Sequence, residues 1–151
     1  MAKQATVRAP WVRLVREPMS AKRRTARPRI AEPNDVVSLI EARARQEAVE
    51  VFYVVPVDSQ SRPLVLHEMT RGLLNSCLVH PREVFRVAIL AGASGVVVAH
   101  NHPSGDPTPS AEDRAVTRQL AAAGRLLDIP LYDHVIIGAG RHVSMAAAGL
   151  L

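Results

Sequence analysis

Two histidines separated by one residue carry the strongest chemical signal in the sequence. His100 and His102 end an apolar run, and side chains two positions apart on a strand point to the same face. A proline-rich loop follows, and Asp113 then falls in the first turn of a predicted helix. Two imidazoles and one carboxylate can hold zinc with a fourth position open for water. Zinc lowers the pKa of such a water to about 7, which would supply hydroxide at neutral pH.

The same segment also has a simpler, structural interpretation. Ser110 and Asp113 fit a capping box, in which Ser110 is the N-cap and an acidic residue stands at position N3. The two interpretations are compatible, because a cap would hold Asp113 in place while one carboxylate oxygen binds a metal. A lone His-X-His pair is a weak signal. Its combination with a downstream Ser-X-X-Asp is rare by chance and favours a metal site.

The residues around this segment predict an α/β layered domain, because strand-like and helix-like stretches alternate along the chain. Gly95–His100 has no polar alternation, as expected for a strand at the centre of a sheet with both faces covered. Asn34 or Asp35 is the expected cap of the first helix. We predict strands over 51–58, 64–70, 95–100, 129–137 and 141–145, and helices over 34–48, over 81–91 and from Ser110 onward.

The segment HNHPSGDPTPSAED, followed by DHVIIG, resembles the RadC family within the JAMM/MPN+ (JAB-like) zinc metalloproteases. The resemblance extends over roughly residues 34–146 and includes EVFYVVPVD and RGLLNSCLVHPREVF. It implies a curled mixed β-sheet flanked by helices, the cytidine-deaminase-like architecture of JAB/MPN domains. It also implies one zinc ion, held by His100, His102 and Asp113, and hydrolysis of a peptide or isopeptide bond in a protein or peptide substrate.

The resemblance further assigns a general acid/base and an oxyanion donor. Glu50, at the start of EVFYVVPVD, matches the family's upstream glutamate, which would take a proton from water and return it to the leaving amine. Glu47 and Glu83 are nearby alternatives, but both fall on predicted helices, where a solvated carboxylate is expected. Ser110 matches the residue that stabilises the oxyanion, and this role stands beside its role as helix cap.

Three further polar residues are candidates for hydrogen bonds to the metal ligands. Asn101 lies between the two histidines, where the general JAMM pattern has Ser or Thr and the RadC subgroup has Asn. Asp133 and His134 fall on a late strand, with a purely structural role as the alternative. The remaining histidines are expected at ordinary positions: His67 and His142 exposed on strands, and His80 at a helix N-terminus.

The net charge of +5 is unevenly distributed. Residues 1–30 hold nine basic residues and one acidic residue, whereas residues 31–151 carry a net charge of −3. We therefore expect a mobile basic arm over 1–33 before a metal-binding domain over 34–151. The alternative function is non-specific binding of DNA by the arm, with the MPN+ domain as a scaffold and a DNA-repair association implied by the RadC resemblance. Its candidate contacts are Arg13, Arg16, Lys22, Arg23, Arg24, Arg27 and Arg29.

Composition also limits the compartment and the class of enzyme. No apolar run approaches the roughly 18 residues of a membrane span, and the N-terminus lacks a secretory signal, although an organellar transit peptide would also be rich in Arg. The single cysteine, Cys77, is expected to be buried, and with no internal disulfide the chain fits a cytoplasmic protein. A nucleobase deaminase needs His-X-Glu and Pro-Cys-X-X-Cys, which this chain lacks. The sequence leaves open the substrate and the oligomeric state.

Overall fold

The structure is a computed structural model that describes residues 29–44, 48–72 and 79–151. Several predictions fall outside these residues: the basic arm up to residue 28, the alternative base Glu47 and the burial of Cys77. They stay predictions from the sequence. Arg29, the last basic residue assigned to the arm, is exposed.

The described residues form a five-stranded mixed sheet with three helices, which confirms the predicted α/β class. The sheet order is β2-β1-β3-β4-β5. The strands are β1 (Val51–Val57), β2 (His67–Arg71), β3 (Gly95–Asn101), β4 (Leu131–Ile137) and β5 (His142–Ser144), and the helices are α1 (Pro33–Ala44), α2 (Pro81–Ala91) and α3 (Ala111–Leu127).

The directions of the strands determine which strand ends lie next to each other. β3, at the centre of the sheet, is antiparallel to β1, and Phe52 pairs with His100. β3 is parallel to β4, with α3 as the crossover between them, while β2 and β5 pair antiparallel at the two edges. Because β1 and β3 are neighbours that run in opposite directions, the beginning of β1 lies beside the end of β3.

Helices cover both faces of the sheet. One apolar cluster joins α2 and α3 to one face, and a second cluster joins α1 to the other. β1 and β3 are consequently buried along their full length, which confirms the expectation of a central strand without polar alternation. The first cluster includes Phe52, Val98, Val84, Phe85 and Leu120, and the second includes Val36, Ile40, Tyr53, Ala99 and Val135.

The cap predicted for α1 is wrong. The helix begins at Pro33, whose fixed φ suits the first helical position, so Asn34 and Asp35 both lie inside the first turn. The Asp35 carboxylate accepts hydrogen bonds from the N–H groups of Ala31 and Glu32, at 2.8 and 3.0 Å. Asp35 therefore closes the helix start from within. The described part of α1 runs to Ala44 and Ala48 lies in a bend, so the predicted helix end near Ala48 stays a prediction, because residues 45–47 lie outside the described residues.

Three strands begin later than predicted, β5 by one residue only, and local hydrogen bonds explain the two larger differences. After β1, Asp58 Oδ1 accepts from the N–H groups of Gln60 and Arg62, at 2.8 and 3.0 Å, and the resulting wide turn delays β2 to His67. Before β4, the N–H of Ile129 donates to the carbonyl of Gly124 at 3.0 Å, so Ile129 caps the last turn of α3 instead of starting the strand. Within the described ranges, no helix is long and apolar enough to cross a membrane.

Candidate metal centre

The two histidines of the motif lie at the end of the central strand. His100 is fully buried in β3 and points to the same face as Val98, toward α2 and α3. His102 follows the strand by one residue, and its N–H donates to the carbonyl of Ile137 at 2.8 Å. The Nε2 atoms of the two imidazoles approach to 2.9 Å. The predicted convergence of the two side chains is therefore present.

The loop after His102 folds back onto the end of β4. Gly105 adopts φ +83°, its N–H donates to the carbonyl of His102 at 2.9 Å, and its own carbonyl accepts from the N–H of Ala139 at 3.0 Å. Gly138 makes this close approach possible, because a Cβ atom there would lie 2.4 Å from the carbonyl oxygen of Gly105. The same loop brings the carbonyl of Asp106 to 2.7 Å from His102 Nδ1, which orients the imidazole.

Ser110 and Asp113 form the predicted capping box at the start of α3. Ser110 Oγ accepts from the N–H of Asp113 at 3.0 Å, and Asp113 Oδ2 accepts from the N–H of Ser110 at 2.7 Å. The same carboxylate faces the histidines, with Oδ1 at 3.1 Å from His100 Nε2 and Oδ2 at 3.4 Å from His102 Nε2. The cap therefore fixes Asp113 in the orientation that a metal ligand needs.

Glu50 reaches the same point from the beginning of β1. Its Oε1 lies 3.4 Å from His100 Nε2 and 3.8 Å from His102 Nε2. Asn101 holds the chain on both sides of Glu50: its side chain accepts from the N–H of Val51 at 2.9 Å and donates to the carbonyl of Val49 at 3.0 Å. This placement follows from the antiparallel pairing of β1 with β3.

The alternative base Glu83 lies elsewhere, on α2. Its carboxylate pairs with Arg82 at 3.1 Å and with Arg86 at 2.7 Å, and all three side chains are partly exposed. It is thus the solvated helical carboxylate that the sequence predicts. Within the described ranges, one group of three or more His, Cys, Asp or Glu side chains can hold a metal ion, with ligand atoms all within 4.8 Å: Glu50, His100, His102 and Asp113.

The electrostatics of this group favour a cation at its centre. Burial raises the pKa of Asp113, but hydrogen bonds to His100 and His102 outweigh burial and hold that pKa well below its usual range. The hydrogen bond to Asp113 raises the pKa of His102 despite the opposing effect of burial. Two imidazoles and two carboxylates offer the nitrogen and oxygen ligands that zinc accepts, so the residues present fit this metal.

The predicted pair Asp133 and His134 divides into two separate roles. The Asp133 carboxylate accepts from Ser144 Oγ at 2.6 Å and from the N–H of Ala146 at 3.0 Å, which ties β4 to the segment after β5. The fully buried His134 instead has its Nε2 at 2.8 Å from His100 Nδ1. Burial lowers the pKa of His134 well below its usual value, which favours the neutral form of the ring. Only His134 of the pair contacts a candidate ligand.

Two residues beside the centre were missed by the sequence interpretation. Thr117 Oγ1 lies 2.7 Å from His134 Nδ1 and donates to the carbonyl of Asp113 at 2.6 Å. The sequence did contain a signal for Thr117: it lies four residues after Asp113 on α3, and residues at this spacing share a helix face. Phe52 stacks on His100 with ring centroids 6.0 Å apart and meets His134 edge-on at 5.5 Å. No spacing in the sequence indicates the position of Phe52.

The other histidines lie away from the centre. His80 caps α2, and its Nδ1 accepts from the N–H of Arg82 at 3.0 Å, which confirms its predicted position. His67 is exposed on β2, as predicted. His142 lies on β5 as expected but is half-buried.

Comparison with known proteins agrees with this geometry. The sequence profile of the RadC-like JAB domain matches residues 30–150. A UPF0758 protein from Methanosarcina acetivorans is 43% identical over 123 residues, which cover 82% of this chain and 54% of that protein. UPF0758 proteins from Caldanaerobacter subterraneus and Symbiobacterium thermophilum are 44% and 41% identical, over 80% and 81% of this chain and 52% of each relative. This chain spans about half the length of these curated relatives. By its fold, its site and this match, the chain belongs to the RadC-like JAB domain family.

Proposed function

We propose that the protein is a zinc-dependent hydrolase of JAMM type that cleaves a peptide or isopeptide bond. The observation that carries the proposal is the convergence of Glu50, His100, His102 and Asp113, whose ligand atoms all lie within 4.8 Å of one another. These residues come from two strand ends and a helix start, and the structure brings them together at one edge of the sheet.

Three of the four residues would hold the metal. His100, His102 and Asp113 are the most buried of the set, and hydrogen bonds orient each of them independently of a metal. When bound, zinc supplies Lewis acidity and a water molecule acidic enough to serve as a nucleophile near neutral pH. Three protein ligands leave the open position that a catalytic zinc site requires.

Glu50 is the proposed general acid/base. Its side chain is 21% exposed, whereas that of Asp113 is 6% exposed, so Glu50 is the carboxylate nearer to solvent and substrate. It would accept a proton from the attacking water and deliver it to the nitrogen of the leaving amine. A carboxylate that performs both steps must lie beside the metal ligands, and Glu50 does so through Oε1.

Ser110 is the proposed oxyanion donor, and its hydroxyl can serve this function while it also caps α3. In the cap, Ser110 Oγ accepts a hydrogen bond through a lone pair, so its hydroxyl proton is not used. That proton can be donated to the oxygen that becomes negative when the carbonyl is attacked. The hydrogen bond from the Ser110 N–H to Asp113 Oδ2 holds Ser110 beside one of the proposed metal ligands.

The test combines metal analysis with a peptide-library cleavage assay on the full chain. We expect about one zinc per chain in the wild type and in Glu50→Gln, and none in Asp113→Ala. Cleavage should fall by about 10²- to 10⁴-fold in Glu50→Gln, because the proton acceptor is lost. Glu83→Gln is the matched control: it removes an equivalent surface carboxylate from α2 and should leave cleavage unchanged. Full activity in Glu50→Gln, or a wild type that binds no zinc, contradicts the proposal.

We also propose that the basic arm binds nucleic acid non-specifically. The supporting observation is the charge distribution, because nine of the 19 basic residues fall within residues 1–30. Such a segment would associate with phosphates through counterion release, without sequence preference. We also propose a cytoplasmic location. It is supported by the single cysteine of the sequence, which has no second cysteine with which to form an internal disulfide.

A further inference from the structure

We infer that Thr117 and His134 are positioning residues that fix the tautomer of His100, so that the Nε2 lone pair of His100 faces the metal. The inference rests on the proposed function, since it concerns the same metal centre. It assigns roles to two buried side chains that would not touch the metal themselves. Three consecutive hydrogen bonds join the carbonyl of Asp113, Thr117, His134 and His100.

The first proton belongs to the Thr117 hydroxyl. Thr117 Oγ1 lies 2.6 Å from the backbone carbonyl oxygen of Asp113. A carbonyl carries no proton, and two oxygen atoms at this distance repel each other unless a proton lies between them. The hydroxyl proton therefore points to Asp113, and only the lone pairs of Oγ1 remain for other partners.

The second and third protons follow from the first. Since Thr117 Oγ1 can only accept, His134 Nδ1, at 2.7 Å, must carry a proton and donate it. A neutral imidazole has one donor and one acceptor, so His134 Nε2 is an acceptor. His100 Nδ1, 2.8 Å away, must then be the donor. His100 thus carries a proton on Nδ1, and Nε2, which faces Asp113 Oδ1 at 3.1 Å, is the nitrogen left to bind a metal.

The surroundings of His134 support the neutral form. Its Nδ1 contacts the hydroxyl of Thr117 and its Nε2 contacts the ring of His100, and neither of these groups is a carboxylate. His134, His100 and Thr117 are all fully buried, and Phe52 packs against both rings. A charged imidazole in such a place would lack a compensating carboxylate. The order of donors and acceptors along these three buried hydrogen bonds is therefore fixed.

The two histidines keep a proton on Nδ1 by different means. His102 donates from Nδ1 to the backbone carbonyl of Asp106, at 2.7 Å, and a carbonyl can only accept. His100 has no such fixed acceptor, because its partner His134 can exist in either tautomer. Thr117 removes this ambiguity. The tautomer of His100 is accordingly sensitive to a hydroxyl on α3, whereas that of His102 is not.

A pair of substitutions at Thr117 separates the hydroxyl from the shape of the side chain. Thr117→Val has nearly the same volume but no hydroxyl, while Thr117→Ser keeps the hydroxyl. In Thr117→Val, the proton on His134 Nδ1 loses its acceptor, so His134 should transfer its proton to Nε2 and donate to His100. The proton of His100 then moves to Nε2, where it blocks the lone pair.

The first measurement is ¹⁵N NMR of the histidine rings in the metal-free full-length protein. We expect His100 protonated on Nδ1 in the wild type and in Thr117→Ser, and on Nε2 in Thr117→Val. The second measurement is zinc affinity by competition with a chelator. Affinity should fall by about 10- to 100-fold in Thr117→Val and stay near the wild-type value in Thr117→Ser.

The outcomes separate this inference from the proposed function. An unchanged His100 tautomer in Thr117→Val, or equal zinc affinities for Thr117→Val and the wild type, overturns the inference. If the wild type binds no zinc, the proposed function fails, but the NMR measurement still decides the inference. Should Thr117→Val not fold, His134→Gln and His134→Leu replace it. The Gln oxygen can accept from His100 Nδ1 and should keep zinc affinity well above that of the Leu variant, and equal affinities overturn the inference.

Discussion

Asn101 holds Glu50 through the main chain on both sides of it. The Asn101 side chain accepts from the N–H of Val51 and donates to the carbonyl of Val49, at 2.9 and 3.0 Å, and both bonds are well within hydrogen-bonding distance. The residue between the two histidines therefore orients the glutamate of another strand. Its side chain is thus turned toward the segment of Glu50.

Asn101→Ala should lower kcat while zinc binding remains. The two hydrogen bonds that orient the Glu50 segment are lost, and a displacement of about 1 Å at a reacting group can cost about 100-fold in rate. The metal ligands keep their own partners, so zinc content should stay at the wild-type level. Parallel measurements of kcat and zinc content check this expectation. Loss of zinc together with activity would instead assign Asn101 to the metal-binding scaffold.

Gly138→Ala should weaken zinc binding through the loop that carries His102. A Cβ at this position would lie 2.4 Å from the carbonyl oxygen of Gly105 and 2.8 Å from Pro107 Cδ, so the loop must move away. The carbonyl of Asp106, which orients His102, moves with it. Zinc affinity by chelator competition checks the effect. Gly140→Asn is the control, since Gly140 has open space around it and Asn tolerates a φ of +69°. Equal affinities in the two variants would contradict this account.

Ser110→Ala should affect stability and catalysis together. Loss of the cap on α3 should lower the free energy of unfolding by about 1 kcal/mol, because the N–H of Asp113 loses its acceptor. Loss of the hydroxyl donor should lower kcat by about 10²- to 10³-fold. Thermal unfolding and steady-state kinetics measure the two effects. Ser110→Thr keeps the cap and the hydroxyl and should be near wild type. A kcat unchanged in Ser110→Ala would leave Ser110 as a cap alone.

Metal-free stability and zinc affinity should respond to pH in opposite directions. The pKa of His102 is raised in the folded protein, chiefly by its hydrogen bond to Asp113, so the stability it contributes is fully present below the unfolded value of about 6.5. That stability is lost as the pH rises through the folded pKa. Zinc affinity should rise over the same range, because zinc binds the unprotonated imidazole.

Two titrations test this pH dependence. Chemical unfolding of the metal-free protein at several pH values should show stability falling above about pH 6.5. His102→Gln is the comparison, because its slope in this range should be smaller. The lowered pKa of Asp113 has the opposite sign: its contribution is lost only as the pH falls below the usual range of a carboxyl group. A metal-free stability that rises between pH 6 and 8 would contradict the pairing of His102 with Asp113.

Removal of residues 1–28 should abolish DNA binding and leave zinc binding intact. The deletion keeps Ile30, whose N–H donates to the carbonyl of Ser61 at 2.9 Å and whose side chain packs against the core. For the full chain, the logarithm of the binding constant should fall linearly with the logarithm of salt concentration. Fluorescence anisotropy with a labelled duplex measures both effects. Binding that survives the deletion, or that is insensitive to salt, would exclude the arm as the contact.

The sequence predicted the parts of the site that depend on short-range geometry. His100 and His102 follow from the two-residue period of a strand, and the link between Ser110 and Asp113 follows from the capping box. Asp133 and His134 could also have been separated, since neighbouring residues on a strand face opposite sides. The cap of α1 was missed because Pro33 fixes the helix start before Asp35.

The remaining parts of the site depend on long-range pairing. Glu50 was identified only through the family resemblance, because the register of β1 against β3 joins residues 50 positions apart. The role of Thr117 needs the packing of α3 against β4, which local patterns do not encode. A composition that is 48% apolar and 3% aromatic gave no indication that Phe52 would lie beside two histidines.

The unequal burial of the two histidines sets a direction for metal exchange. His100 is enclosed by strands, α3 and Phe52, whereas the side chain of His102 is 16% exposed and begins a loop whose Pro103, Ser104 and Asp106 are exposed. An incoming ion can therefore meet His102 and Glu50 before it reaches His100. On release of a bound ion, we expect His102, the more exposed of the two histidines, to detach first. If the proposed site holds a metal, the rate at which a chelator removes it would then be governed by opening of this loop.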